Sequence, residues 1–214
     1  HPIVVPSFGY HPWYIGERTD QWLDELQRHL DAVPSAVGEI GLERWMENPD
    51  VPVQEELFRA QLRVAAARNL PVSIHCLRAW GRLDEILREE VRPQRGFLLH
   101  AYGGPGEMVA GFVKLGAYFS LSGYFAHERK AKQREAFKQV PLDRLLLETD
   151  APDMLPPDEW TDHPLTDPAT GQLLNHPANL AAGYRFAANC LSLDPAQLTR
   201  QVEQNFLRLF GEVA

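Results

Sequence analysis

Ala36-Val37-Gly38-Glu39 is one of four short apolar runs that each end in a side chain able to bind a metal ion. The other three runs are Val72-Ser73-Ile74-His75, Phe97-Leu98-Leu99-His100 and Leu145-Leu146-Leu147-Glu148-Thr149-Asp150. A buried carboxylate or imidazole is costly unless a partner compensates it. Four such groups at strand ends therefore indicate a shared partner, most simply a divalent cation.

The spacing of these four runs favours a barrel of alternating strands and helices. Steps of 36, 25 and 50 residues lead from Glu39 to His75, from His75 to His100 and from His100 to Asp150. One strand with its following helix takes about 30 residues, so these steps correspond to one, one and two units. We expect an α/β fold of the (β/α)8 type, with its chemistry on the rim formed by the carboxyl ends of the strands.

Six strands with interleaved helices are predicted along the chain, and residues 1–214 are expected to form a single domain. The predicted strands are 4–9, 36–41, 72–75, 97–100, 117–121 and 145–148. Helical periodicity covers 55–69 and 128–139, and Asp194-Pro195 opens a last helix. The Pro- and Asp-rich segment 151–178 has little periodicity, and a loop of that length is usually functional or mobile. Because this barrel needs eight strands, we expect two N-terminal strand–helix units to be missing.

Composition and charge exclude several classes of protein. No run approaches the roughly 18 apolar residues that span a bilayer, and the start carries no basic segment followed by an apolar stretch, so we expect neither a membrane span nor a secretory signal. Cys76 and Cys190 are the only cysteines, which favours a cytoplasmic location over a disulfide framework.

The net charge of −8 argues against a protein that coats long nucleic acids by bulk electrostatics. It is compatible with an enzyme that binds a few phosphates locally. One basic patch is available for this, and it can equally be a solvated helix face: Arg129, Lys130, Lys132, Arg134 and Lys138.

Seven short segments of the chain form a recognisable series: Gly9-Tyr10-His11-Pro12, Gly38-Glu39-Ile40-Gly41-Leu42, Ile74-His75, Leu99-His100-Ala101-Tyr102-Gly103-Gly104, Leu147-Glu148-Thr149-Asp150-Ala151-Pro152, Asn175-His176-Pro177-Ala178-Asn179 and Asn205-Phe206-Leu207-Arg208-Leu209-Phe210. Together they resemble the TatD family of metal-dependent hydrolases. Each segment is weak alone, but they occur in order over almost the whole chain. The resemblance implies a (β/α)8 barrel and a hydrolase acting on ester bonds, generally a metal-dependent deoxyribonuclease.

The resemblance also implies a set of metal ligands. Glu39 would bridge two ions, His75 and His100 would bind the second, and Asp150 would bind the first and activate water, so that Glu39 and Asp150 are the catalytic candidates. Mixed imidazole and carboxylate ligands suit Mg²⁺, Mn²⁺ or Zn²⁺, and the complete family site holds two ions. The family's first strand carries a His-x-His pair, which these 214 residues lack. Its absence is part of the reason to expect the first two strands to be missing.

Each candidate residue has a structural alternative. Glu39 can pair with an arginine, and Asp150 can start the turn before Ala-Pro. His11 can contact substrate or shape its turn. Arg78 can meet a phosphate or form a salt bridge at the rim, and Tyr102 can stack on a base or pack in the core.

Glu148 and Asn175 are expected to support the ligands from a second layer. Two positions depart from the family pattern. Glu43 stands where family members usually have aspartate after Gly-Leu, and His176 stands where they usually have glutamate in an Asn-Glu-Pro box.

The leading hypothesis is a hydrolase that cleaves phosphodiester bonds in DNA with metal-activated water, without a membrane or an obligate protein partner. A second hypothesis keeps the metal but makes the substrate an amide or ester, because barrels of this kind host many chemistries. A third is a degenerate, metal-poor barrel that acts as a binding protein. The missing His-x-His pair motivates it, and the four retained ligand candidates oppose it.

Overall fold

The computed structural model describes residues 4–211, which form two compact units. The first unit comprises residues up to 100 together with 112–118 and the chain from 206, and the second comprises 101–111 and 119–205. The strands are β1 (Ser7–Phe8), β2 (Ala36–Glu43), β3 (Val72–Leu77), β4 (Phe97–Leu99), β5 (Ala117–Ser122), β6 (Leu145–Glu148), β7 (Leu165–Thr166) and β8 (Leu173–Leu174). The helices are α1 (Trp22–Ala32), α2 (Val51–Arg68), α3 (Trp80–Glu89), α4 (Val109–Lys114), α5 (Ala131–Phe137), α6 (Leu180–Leu191) and α7 (Pro195–Phe210).

The first unit is a parallel sheet whose strands follow one another in chain order. Strand β1 pairs with β2, β2 with β3, and β3 with β4, always in parallel. The backbone N–H of Phe97 in β4 donates to Gly116 O, one residue before β5, at 3.3 Å. This order has no switch point, as we predicted for strands of a barrel.

Strand β2 and helix α2 form much of the core of the first unit. All residues of β2 except Glu39 are buried, which suits a parallel strand covered on both faces. The helix begins where Asp50 Oδ1 accepts from Val53 N at 3.2 Å and ends at Asn69, which adopts a left-handed conformation with a φ of 50°. Its buried face carries Leu57, Phe58, Leu62 and Ala65.

The second unit contains the rest of β5 and all of β6, which pair in parallel. Phe119 of β5 lies opposite Leu145 of β6, and Ser122 lies opposite Glu148. The segment 151–178 is not wholly irregular, because β7 and β8 form a short antiparallel hairpin within it. Helix α6 was not predicted. Its sequence is rich in small residues, so a periodic pattern of large apolar side chains is missing from it.

Several predicted boundaries are wrong, and two of them matter for the site. The first strand is only two residues long instead of spanning 4–9. Strands β2 and β3 run beyond their predicted ends because their pairing continues to Glu43 and Leu77. Glu39 and His75 therefore lie inside strands rather than at strand ends, whereas His100 directly follows β4, as expected.

Two further expectations concern membrane-spanning helices and the number of domains. In the described range 4–211, no helix is long and apolar enough to cross a membrane. The single-domain prediction covers residues 1–3 and 212–214, which lie outside the described part of the chain, and it stays a prediction.

Candidate metal centre

Glu39 projects from an irregularity in strand β2. Val37 pairs with Val72 and Ile40 with Ile74, so two residues of β2 lie opposite a single residue of β3. Such a bulge re-aims a side chain and is common beside active sites. It explains why Glu39 alone in this strand is partly exposed, with 35% of its side chain accessible.

Gly41 allows β2 to approach β3 closely beside this bulge. Its φ is +146°, and a Cβ at this position would lie 1.9 Å from the carbonyl oxygen of His75. Only glycine fits such an approach. The glycine after Glu39-Ile40 therefore has a packing role at the site.

Three imidazoles surround Glu39 in the first unit. One ligand atom each from His11, Glu39 and His75 lie within 4.8 Å of one another. His11 Nε2 is 3.8 Å from Glu39 Oε2, and His100 Nε2 is 3.6 Å from Glu39 Oε1. The rings of His11 and His75 have centroids 4.4 Å apart. Carboxylate and imidazole groups in this arrangement are suitable ligands for a divalent metal ion.

The hydrogen bonds of His75 leave its other nitrogen available to a metal. His75 Nε2 lies 2.9 Å from Glu43 Oε2, and Glu43 is 1% exposed. A carboxylate accepts at this distance, so the proton is assigned to Nε2 and the lone pair to Nδ1. A histidine ligand with its second ring nitrogen on a carboxylate is a recurrent arrangement at metal sites.

Glu43 is itself fixed from several sides. Its backbone N–H donates to Gln54 Oε1 at 2.8 Å, and its carbonyl accepts from Gln54 Nε2 at 2.9 Å. Its carboxylate also accepts from the backbone N–H of Trp45 and from Trp13 Nε1. The side chain that departs from the family pattern is therefore placed to orient His75.

His11 has a different hydrogen-bonding arrangement. Its Nδ1 accepts from Trp13 N at 3.1 Å and caps the short 3₁₀ turn Pro12–Glu17. With the lone pair of Nδ1 occupied, the neutral ring carries its proton on Nε2, which faces Glu39. His11 is therefore better suited to donate to Glu39 or to a substrate oxygen than to bind a metal through Nε2. The bond to Trp13 agrees with the turn role predicted for His11, and a substrate contact by His11 stays a prediction.

The electrostatics favour the neutral forms of His11 and His75. Burial, followed by the charges of His75 and His100, lowers the pKa of His11 to about 3. Burial also lowers the pKa of His75, although its hydrogen bond to Glu43 and the charge of Glu39 oppose the shift. Because only a neutral imidazole binds a metal, His75 is ready for ligation at neutral pH.

In the second unit, Asp150 lies two residues beyond β6 with a φ of 60°. Asn175, which is buried, holds the chain on both sides of it by donating from Nδ2 to Thr149 O at 2.8 Å and to Met154 O at 3.3 Å. Ser120 Oγ donates to Glu148 Oε2 at 2.6 Å. Ligation by Asp150 and support by Glu148 and Asn175 stay predictions.

Tyr102 and Arg78, two of the predicted substrate contacts, differ in their exposure to solvent. Tyr102 is fully buried, its hydroxyl donates to Pro105 O at 2.7 Å, and its ring packs edge-on against Phe119. Its burial favours the packing alternative, and the substrate contact predicted for Tyr102 stays a prediction. Arg78 is exposed, and its guanidinium lies 5.2 Å from the centroid of the Trp45 ring. A phosphate contact by Arg78 stays a prediction.

Part of the basic patch in the second unit is used within the fold. Arg134 Nη1 donates to Phe125 O and His127 O, and Lys138 pairs with Glu135 at 2.6 Å. Arg129 and Lys130 both lie over the ring of Tyr124. These contacts favour the interpretation of this patch as a structural helix surface.

Sequence reasoning missed the role of Glu43 and the aromatic residues beside it. Glu43 was noted only as a departure from the family pattern. In a regular strand, Glu39, Gly41 and Glu43 would share one face, because side chains two apart point the same way. That alternation was a usable signal for Glu43, but the bulge at Glu39 disturbs it. Trp13 gave no signal, because exposed aromatic residues are ordinary on protein surfaces.

The chain belongs to the family described as TatD related DNase, whose sequence model matches residues 1–211. It is 34% identical over 212 residues to the 3'-5' ssDNA/RNA exonuclease TatD of Citrobacter koseri, covering 95% of this chain and 76% of that protein. It is 32% identical over 159 residues to the uncharacterized metal-dependent hydrolase YabD of Bacillus subtilis, covering 73% of this chain and 62% of that one.

A solved structure shows the same fold. The crystal structure of YjjV, a TatD homologue of Escherichia coli, superposes with a TM-score of 0.86 at 28% identity and covers 99% of this chain and 78% of that one. The curated YjjV protein is 35% identical over 154 residues, covering 71% of this chain, and the chain spans 59% of its length. The predicted α/β fold of barrel-type metal hydrolases is confirmed, whereas the expectation of two missing N-terminal units stays a prediction.

Proposed function

We propose that this protein hydrolyses phosphodiester bonds in single-stranded nucleic acid, DNA in the first instance, with metal-activated water. The observation that carries the proposal is the cluster of Glu39 with His75 and His100, supported from behind by Glu43. The family membership and the exonuclease named among its relatives support it.

The donor set of the first unit fits a divalent cation. Glu39 would hold it through a carboxylate oxygen, His75 through Nδ1 and His100 through Nε2. A bound cation would polarise a phosphoryl oxygen and lower the pKa of a bound water. We propose Mg²⁺, Mn²⁺ or Zn²⁺ and at least one ion, with two as in the complete family site.

The protein's own side chains would then complete the site. Glu43 keeps His75 in the tautomer that can bind a metal. The Nε2–H of His11, which stays neutral, would donate a hydrogen bond to a phosphate oxygen and so orient the substrate. Asp150, as the resemblance implies, binds metal and accepts the proton of the attacking water. The cytoplasm stays the proposed compartment, on the ground of the two unpaired cysteines.

The first experiment compares the protein with its Glu39→Gln variant on a labelled single-stranded DNA with Mg²⁺ or Mn²⁺. We expect nucleotide release by the unaltered protein and a loss of at least about 100-fold in the variant, since the carboxamide is a poor ligand. Glu203→Gln, a change at an exposed helix position, is the matched control and should retain full activity.

Other outcomes identify the alternatives. Hydrolysis of ester or amide substrates without nucleotide release would support the second enzymatic hypothesis. Failure to bind metal at micromolar concentrations, together with identical behaviour of Glu39→Gln, would support a binding protein instead. Calorimetric titration with Mn²⁺ measures that affinity independently of any substrate.

A further inference from the structure

We propose that the indole of Trp13 is a stacking platform for the nucleobase next to the cleaved phosphodiester. This inference rests on the proposed function, and it assigns to that site a binding surface for one unpaired base.

Trp13 is exposed and yet held in place. Its residue is 56% accessible, but its Nε1 donates to Glu43 Oε2 at 3.4 Å. Its ring meets those of His11 and His75 edge-on, with centroids 5.2 and 6.4 Å away. An aromatic ring that is both open to solvent and fixed in orientation is prepared to bind a flat partner with little further ordering.

The same hydrogen bond ties Trp13 to the candidate metal centre. Glu43 accepts from Trp13 with the carboxylate oxygen that also contacts His75. A group stacked on this indole would therefore lie beside the position where a metal-bound phosphate is hydrolysed. A nucleobase is joined to its phosphate through a single sugar. The base of a nucleotide could therefore stack on Trp13 while its phosphate binds at the neighbouring metal centre.

Two more exposed aromatic side chains accompany Trp13 in the first unit. Tyr14 is 51% and Trp45 is 65% accessible. We call these three residues the aromatic rim. Tyr14 lies 6.1 Å from His11 between ring centroids, and Trp45 carries the guanidinium of Arg78 on its ring. Clustered exposed aromatic residues with a cation are typical of surfaces that bind single-stranded nucleic acid.

The chemistry of the aromatic rim favours an unpaired base over other occupants. In a duplex both faces of an interior base are covered by its neighbours, so only a single strand or a frayed end offers a free π-face. Arg78 supplies the positive charge that a phosphate backbone needs, within a chain whose net charge is −8. Stacking is also indifferent to base identity, so we expect weak sequence preference.

The test combines substitutions of Trp13 with single abasic residues placed along a DNA oligonucleotide. Stacking of one base corresponds to about 5- to 160-fold in affinity. We expect Trp13→Ala to raise KM for intact DNA by that factor while kcat changes less. One abasic position should raise KM of the unaltered protein similarly and should have no further effect in the variant, because both changes remove the same contact.

Trp13→Phe separates stacking from the hydrogen bond to Glu43. It keeps an aromatic face and loses the indole N–H, so it should recover most of the affinity lost in Trp13→Ala. Val91→Ala alters another exposed apolar side chain, on the loop after α3, and should leave KM unchanged for every oligonucleotide.

The outcomes distinguish this inference from the proposed function. If the unaltered protein neither binds nor cleaves any nucleic acid, both fall together. If it cleaves DNA but Trp13→Ala has normal KM, loses kcat alone, or is equally impaired at every abasic position, only the stacking platform is overturned. Equal defects in Trp13→Phe and Trp13→Ala would likewise overturn it, because they would trace the effect to Glu43.

Discussion

His75 and Glu43 form a buried pair in which Nε2 of the imidazole lies 2.9 Å from Oε2 of the carboxylate. Because this bond occupies Nε2, His75 can offer only Nδ1 to a metal ion. Three groups converge on this one carboxylate: the imidazole of His75, the backbone N–H of Trp45 and the indole of Trp13. Gln54 holds the backbone of Glu43 instead. Glu43, which stands where the family usually has aspartate, therefore orients His75 at the candidate metal centre.

Glu43→Gln should weaken metal binding without unfolding the protein. The carboxamide keeps the volume but loses the charge that holds His75 in its tautomer, so affinity for Mn²⁺ should fall about 10- to 100-fold. Calorimetric titration measures this change, and far-UV circular dichroism confirms the fold. An unchanged affinity would mean that His75 is not a ligand or binds through its other nitrogen.

Gly41→Ala should destabilise the protein strongly. The added methyl group would lie 1.9 Å from the carbonyl oxygen of His75, so strands β2 and β3 must separate, at a cost of about 3 kcal/mol or more in the free energy of unfolding. Urea denaturation gives this value. Gly81→Ala in helix α3 is the matched control, because beyond the adjacent backbone of its own helix nothing lies within 4 Å of the added Cβ, and it should be neutral or stabilising by up to about 1 kcal/mol. Equal effects of the two changes would contradict the close approach at Gly41.

The metal-free protein should lose stability in acid through its histidines. Burial lowers the pKa of His11 in the folded protein to about 3 and also lowers that of His75, whereas an unperturbed histidine has a pKa of 6.5. Below pH 6.5 the unfolded chain therefore binds more protons than the folded chain, so the free energy of unfolding falls as the pH drops from about 6.5 towards 3. Above pH 7 these two histidines should not contribute to the pH dependence of the free energy of unfolding.

Denaturation at a series of pH values in the presence of a chelator tests this expectation. His11→Asn keeps a side-chain acceptor for the cap on Trp13 but does not titrate in this range, so its stability should depend less steeply on pH. A slope between pH 6 and 4 identical to that of the unaltered protein would exclude His11 as a contributor. His29→Asn, at an exposed position in helix α1, serves as the control.

Asn175→Ala should destabilise the chain around Asp150. The substitution leaves the carbonyl groups of Thr149 and Met154 without the amide that bonds them, at a cost of about 1–3 kcal/mol. If Asp150 has its predicted role, kcat should fall more than stability alone explains. Thermal melts and DNA hydrolysis of the same samples measure both, with Asn189→Ala, an exposed position in helix α6, as control. Normal kcat in a destabilised variant would limit Asn175 to a structural role.

Apolar runs and their spacing were sufficient to predict the parallel strands, because a strand buried on both faces must be continuously apolar. Strand β6 was predicted to its last residue, Glu148. Helix α6 was missed because small side chains bury without a pattern of large ones. The sequence left base stacking and core packing open for Tyr102, whose side chain is fully buried in the structure. Adjacency in sequence does not decide on which side of a turn a ring lies.

The sequence by itself determined the family, the order of the parallel strands and the residues Glu39, His75 and His100 as ligand candidates, since these depend on residue type and spacing along the chain. The tertiary structure alone decided how these residues meet. The bulge that re-aims Glu39, the tautomer that Glu43 imposes on His75 and the fixed, exposed ring of Trp13 all depend on contacts between strands and turns far apart in sequence. A hydrogen bond needs two atoms within about 3 Å, and that proximity exists only after the chain has folded.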